Sequence, residues 1–130
     1  EDLEILDNFK NNISKIREKI DNQDINFYID FIVKTMFEAN KYFNDQEPWK
    51  KRDDILRLNT IVYTTLEVVR KISFLLFPII PNTSLKALKI FSLSEKDISI
   101  SSIDDNYFLS KVDKINKIDI LFKKIEKKND

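Results

Sequence analysis

Apolar residues recur at Leu6, Phe9, Ile13, Ile16 and Ile20. Steps of three and four place all five on one stripe of a helix spanning Glu1 to Ile20. The stripe breaks at Asp21-Asn22-Gln23, where Asn22 is the residue expected to take the left-handed conformation that glycine usually supplies. Asp24 is the expected N-cap of a second helix. That helix carries Tyr28, Phe31, Ile32, Thr35, Met36, Ala39, Tyr42 and Phe43 on one face and is expected to end near Asn44. A polar loop, Asn44-Asp45-Gln46-Glu47, leads into Pro48-Trp49, with Pro48 disfavouring helical geometry at Glu47 and suiting a helix start.

The third helix is the longest, from about Lys51 or Asp53 to Phe77, with an expected inward stripe of Leu58, Val62, Thr65, Val69, Ile72 and Leu76. Its end, Phe74 to Phe77, is apolar all round and should sit deep in a bundle. Pro78 stops it, and Pro78-Ile79-Ile80-Pro81 forms a stiff linker. A shorter helix starts at Asn82, Thr83 or Ser84 and runs to about Phe91, with Leu85 and Leu88 inward; a turn or short helix follows Ser94. Ile98-Ser99-Ile100-Ser101 alternates but is too short and isolated for a sheet. Beyond Tyr107 the pattern fits two arrangements. Ile118, Ile120, Leu121, Phe122 and Ile125 suit either an extended tail on the bundle or a last amphipathic helix. The fold class is all-α: a bundle of about four main helices over residues 1–93, with an irregular C-terminal extension over 94–130.

Composition then narrows the chemistry. The chain has no His, no Cys and no Gly. Without His it lacks the commonest general base and metal ligand. Without Cys it has no thiolate nucleophile, zinc knuckle or iron–sulfur ligand. Without Gly it cannot build a phosphate loop or a dinucleotide-binding turn. A carboxylate-only hydrolase or a magnesium site is the catalytic class that composition leaves open. However, 22 acidic residues scattered among 22 basic ones read as solvated helix surface. The chain is therefore expected to be no enzyme on its own. A net charge of zero also argues against a large indiscriminate nucleic-acid surface, so any such surface should be local. No apolar run approaches the roughly 20 residues of a membrane span, and the acidic start is unlike a signal peptide. Together with the missing cysteines, these features lead to an expected cytoplasmic location. Abundant Ile, Lys and Asn suggest an AT-rich genome and make lysine runs weak signals.

Pro48-Trp49 is the most informative pair, because it holds the only Trp at a helix entrance beside Lys50, Lys51 and Arg52. Two readings stand: Trp49 anchors the loop onto the core, or it is an exposed ring on which an unpaired RNA base stacks while the cations meet phosphates. Phe74, Phe77 and Phe91 read as core. Glu67 and Lys71, four apart, read as a mild surface pair. Lys123, Lys124, Lys127 and Lys128 read as a solvated tail, with phosphate contact as the alternative.

These residues reach a family. Ala39-Asn40-Lys41-Tyr42 followed by Glu47-Pro48-Trp49-Lys50 resembles the Ala-Asn-x-Tyr…Pro-Trp signature of the C-terminal anticodon-binding domain of methionyl-tRNA synthetases. Ile61-Val62-Tyr63, Glu67, Arg70 and Leu75-Leu76-Phe77-Pro78-Ile79-Ile80-Pro81 are similar to the next helix and its Pro-x-x-Pro exit. Leu121-Phe122-Lys123-Lys124-Ile125-Glu126 is similar to the short segment that closes the synthetase core. The matches arrive in family order and span most of the chain. The resemblance implies a helical bundle that reads the CAU anticodon of methionine tRNA for ATP-dependent aminoacylation. Trp49 would stack on an anticodon base, and Pro48 would shape the surface beside it. No catalytic residue, cofactor or metal is expected here; ATP and Mg belong to the parent enzyme. The expected partners are methionine tRNA and a catalytic domain outside this chain, with no membrane. The His-Ile-Gly-His and Lys-Met-Ser-Lys-Ser signatures are absent, as is the family's preceding Asn-Leu-x-x-Arg helix, so the chain is expected to start after that helix. Rival readings are the anticodon domain of another class I synthetase (for isoleucine, valine, leucine or cysteine) and a helical protein–protein docking module.

Overall fold

The computed structural model describes residues 1–125. Among them are five α-helices: α1 (Asp2–Asp21), α2 (Ile25–Gln46), α3 (Ile55–Leu76), α4 (Pro81–Leu88) and α5 (Ile100–Asp104). Single 3-10 turns occupy Pro48–Lys50, Lys89–Phe91, Glu95–Asp97 and Phe108–Lys111. The described residues contain no strand. Helices α1, α2 and α3 pack on one another, α4 lies along α3, and α5 closes against α1 and α3.

The helix boundaries follow from local chemistry, with several shifts from the expected positions. At the end of α1 the left-handed residue is Gln23, at φ 61°, whereas Asn22 has φ −85°. The helix runs to Asp21, one residue past its apolar stripe. The Asp24 amide then donates to the Lys19 carbonyl at 2.7 Å and Gln23 to Ile20 at 2.9 Å, a Schellman closure that puts the reversal on Gln23. Asp24 caps α2 by accepting from the Phe27 amide at 3.1 Å, as expected. Helix α2 continues two residues beyond Asn44. Helix α3 begins only at Ile55, because Pro48–Lys50 forms its own turn and Asp54 supplies the cap, accepting from the Arg57 amide at 3.0 Å. Helix α4 starts one residue early, with Pro81 in its first turn, and tightens into the 3-10 turn through Phe91. Ser99 caps α5, so the alternating Ile98–Ser101 stretch is a helix entrance. Of the two readings beyond Tyr107, the extended tail holds through Ile125, and Lys127 and Lys128 lie outside the described residues.

The core gathers Leu6, Phe9 and Ile16 from α1, Tyr28 and Ile32 from α2, Val68, Ile72, Phe74 and Leu75 from α3, then Leu88 and Ile103. Ile20 and Met36, expected inside, are exposed. Helix α3 is rotated relative to its expected stripe. Its buried face is Ile61, Thr64, Val68, Ile72 and Leu75, while Val62 is exposed. Thr65, Val69 and Leu76 instead line an apolar groove of about 380 Å³ between α2, α3 and α4, to which Ile72, buried as expected, also contributes and against which the tail lays Leu121 and Phe122. The helix end is apolar enough to support two faces, so periodicity alone locates both and ranks neither. The Tyr28 hydroxyl donates to the Leu75 carbonyl across α2 and α3, and burial pushes its pKa up to about 12.

Candidate nucleic-acid interface

The α2–α3 junction is built on Glu47. This residue ends α2 in the left-handed region, at φ 44° and ψ 58°, and turns the chain so that Pro48 enters the next turn buried. Trp49, the following residue, is 49% exposed. Its ring leans on Phe43 of α2, with centroids 6.0 Å apart and planes inclined at 60°. The indole thus has one aromatic neighbour in a tilted arrangement and keeps about half of its surface in solvent. Trp49 is half-exposed and partly packed on α2, and Pro48 is the buried member of the pair.

The neighbouring cations differ in their surroundings. Lys50 Nζ lies 2.7 Å from Glu47 Oε1, so its charge is partly neutralised. Lys51 is half-buried and closes the turn by donating its amide to the Pro48 carbonyl at 3.1 Å. Arg52 is exposed. Among the described residues neither Lys51 nor Arg52 has a carboxylate within ion-pair distance.

Beneath the junction is a network that sequence reasoning missed. Arg57 donates a fork to Asp2, with Nη2 3.0 Å from Oδ1, and also donates to Gln46 Oε1. The Tyr42 hydroxyl donates to the same Asp2 carboxylate. The Arg57 hydrogen bond holds the Asp2 carboxyl below its ordinary range, against the opposing effect of burial. Burial, then Asp2, pushes Tyr42 up to about 12. Asp2 and Arg57 are 55 positions apart, and no local pattern signals their pairing.

A second polar constellation occupies the other half of α3. Glu67, Arg70 and Lys71 are each 0% exposed, which corrects the expected surface pair. Glu67 joins Arg70 rather than Lys71, at 2.7 Å, and also accepts from the Tyr63 hydroxyl at 3.0 Å and the Leu109 amide at 2.7 Å. Arg70 donates to the Ser102 and Asp105 carbonyls, both at 2.7 Å. Lys71 donates to the Ile103 carbonyl and to Asn106 Oδ1, both at 2.6 Å. Burial lowers Lys71 to about 8, with the Arg70 charge adding to the effect. Arg70 Nη1 and Nη2 and Lys71 Nζ are turned onto residues 102–106, while Arg70 Nε and the Tyr63 hydroxyl are held by Glu67, so the cluster fastens the later segment to α3. The helical spacing of Glu67 and Lys71 was legible; that a later segment covers them was not.

None of the described helices is long and apolar enough to cross a membrane. Among the described residues, no group of His, Cys, Asp or Glu gathers as a metal site.

The family described as the anticodon binding domain of methionyl tRNA ligase matches residues 1–130. The methionine–tRNA ligase of Brucella suis is 33% identical over 93 residues, covering 71% of this chain and 18% of that protein. That of Nanoarchaeum equitans is 37% identical over 124 residues, covering 95% of this chain and 14% of its own length. A probable mitochondrial methionine–tRNA ligase of Dictyostelium discoideum is 32% identical over 100 residues, covering 72% of this chain and 17% of that protein. The chain thus spans less than a fifth of the length of these relatives. An all-α bundle that presents a supported Trp beside a buried Pro, matched end to end by one family, belongs to the anticodon-binding domain family of methionyl-tRNA ligases.

Proposed function

We propose that this chain docks the anticodon loop of methionine tRNA, with Trp49 as a stacking platform for an unpaired base. The observation that carries this reading is the half-exposed indole backed by Phe43 and fixed by the buried Pro48. A ring already confined to few poses loses little entropy when a base lies on it, and one stacked base contributes roughly 1–3 kcal/mol. Arg52 and Lys51 supply nearby charge for phosphates, and Lys50 contributes less because Glu47 already holds it. Pro48 acts by shaping the turn, since its own ring is buried.

In the parent enzyme this reading gives the domain a selective, non-catalytic part. It holds the anticodon while a catalytic domain outside this chain, working with ATP and Mg, joins methionine to the acceptor end in the cytoplasm. Titration of the chain with methionine tRNA and with an anticodon-changed tRNA tests the interface. Trp49→Ala should weaken the matched complex at least tenfold, about 1.4 kcal/mol, and Trp49→Phe should retain part of that affinity. Unchanged discrimination between the two tRNAs after Trp49→Ala rejects the platform.

A further inference from the structure

A second concave surface lies between the end of α4 and the C-terminal tail. It is an open cleft of about 990 Å³, and its lining carries Lys86, Lys89, Lys117 and Lys123 against one carboxylate, Asp119. In a chain with zero net charge, four cations to one anion is a local concentration. Among the described residues, none of the four lysines has a carboxylate within ion-pair distance.

The fold holds the two lysine-bearing segments opposite each other through Asn116. Its amide donates to the Ile90 carbonyl at 2.7 Å, and its side chain donates to the Lys89 carbonyl at 2.9 Å and to Ser92 Oγ at 2.8 Å. Beyond this pin the tail reaches the apolar groove with Leu121 and Phe122. Phe43, the ring behind Trp49, lines that same groove, and Lys123 directly follows Phe122. The cleft and the groove that Phe43 lines are therefore bordered by consecutive residues of the same tail. Four lysines on flexible stems in an open cleft suit a row of charges, such as a phosphate backbone, rather than one small ligand.

We propose that this cleft is a second RNA-contacting surface, which takes backbone phosphates of the same tRNA whose anticodon loop meets Trp49. This rests on the RNA-binding reading above but assigns different residues and a different kind of contact. Phosphate contacts position the nucleic acid and carry no sequence information, so the cleft adds affinity without discrimination. Each neutralised phosphate releases counterions and steepens the dependence of log K on log salt by about 0.7–0.9.

The test is a quadruple variant, Lys86→Gln, Lys89→Gln, Lys117→Gln and Lys123→Gln. Binding of methionine tRNA and of an anticodon-changed tRNA is measured from about 50 to 200 mM salt, the range over which phosphate contacts show most clearly. The variant should weaken both tRNAs by the same factor, about tenfold or more at low salt. Its salt dependence should be shallower by about 3, one increment for each lysine removed. Asn116→Ala, which releases the pin and keeps every charge, should reproduce part of the loss. Trp49→Ala should reduce discrimination between the tRNAs and leave the salt slope intact. An unchanged slope in the quadruple variant overturns the cleft, and with Trp49→Ala still losing discrimination the platform stands alone. A flattened slope with no effect of Trp49→Ala keeps the cleft and rejects the platform. Loss of binding to a poly-glutamate probe with tRNA binding unchanged assigns the cleft to an acidic protein and overturns the proposal. Absence of salt-dependent binding to either tRNA by the unsubstituted chain overturns it outright.

Discussion

The two ends of α3 carry opposite arrangements of similar side chains. At its entrance Pro48 goes in while Trp49 and Arg52 stay out, and a network of Asp2, Tyr42, Gln46 and Arg57 ties the end of α2 and the first turn of α3 to α1. In its second half Glu67, Arg70 and Lys71 are sealed beneath residues 102–109, bonded to one another's side chains, to Tyr63 and Asn106, and to backbone groups of that segment. The first region keeps recognition groups open on a rigid base. The second uses charge to fasten an irregular segment that has little apolar surface of its own. The difference teaches that charged residues on one helix cannot be assigned to surface or interior by spacing alone. What matters is whether a later segment brings carbonyls to meet them.

The contrast is broken most sharply by removing Glu67. Glu67→Ala strands the Arg70 guanidinium in the interior, and loss of one partner of a buried pair costs about 3–5 kcal/mol. Urea midpoints should fall accordingly, whereas Trp49→Ala should change stability by less than about 1 kcal/mol, as for a surface residue with one aromatic neighbour. Equal effects at the two sites would mean that they do not differ in kind. Leu88→Ala supplies the apolar reference. Leu88 is fully buried where α4 meets α3, and a large-to-small change there should cost about 2–5 kcal/mol.

A smaller and more selective effect comes from pH. The Lys71 ammonium is disfavoured in the fold, with a pKa of about 8 against an ordinary 10.5. A lowered pKa contributes stability that is full above 10.5, shrinks as pH falls, and is gone below about 8. Stability should therefore rise between pH 8 and 10 in the unsubstituted chain, and this rise should vanish in Lys71→Met. Above pH 10 the raised pKa values of Tyr28 and Tyr42, each about 12, act the other way. The thermal melts that decide the point therefore lie in the window from 8 to 10. A rise that persists in Lys71→Met would assign the titration elsewhere.

The long helices were legible because their apolar residues repeat at helical steps and their ends carry Asp24, Pro78 and Pro81. Pro48-Trp49 was legible because a single Trp beside a Pro at a helix entrance is unusual in a chain of this composition. The rotation of α3 was not, since Val62, Val69 and Leu76 form as regular a stripe as Ile61, Val68 and Leu75. The decision between those stripes comes from the helices packed on α3, chiefly α1 and α2, with α5 closing over them. The same holds for Arg57, whose partner Asp2 is at the opposite end of the chain, and for the Asn116 pin, which consists of contacts to backbone carbonyls and a hydroxyl. Local periodicity reports which faces are apolar, and tertiary partners choose among them.

Glu47 ties two properties together that could be tuned apart in most loops. In the left-handed region, a residue with a β-carbon stores about 1–2 kcal/mol of steric cost relative to glycine. The same residue holds the Lys50 charge beside Trp49. Replacing it with glycine relaxes the backbone and frees that cation in one step, yet it also widens the conformations open to the turn that aims the indole. A chain without glycine has thus placed its hinge cost on a residue that doubles as a charge regulator. A substitution at this position therefore changes the stiffness of the junction and its electrostatic attraction for a polyanion together.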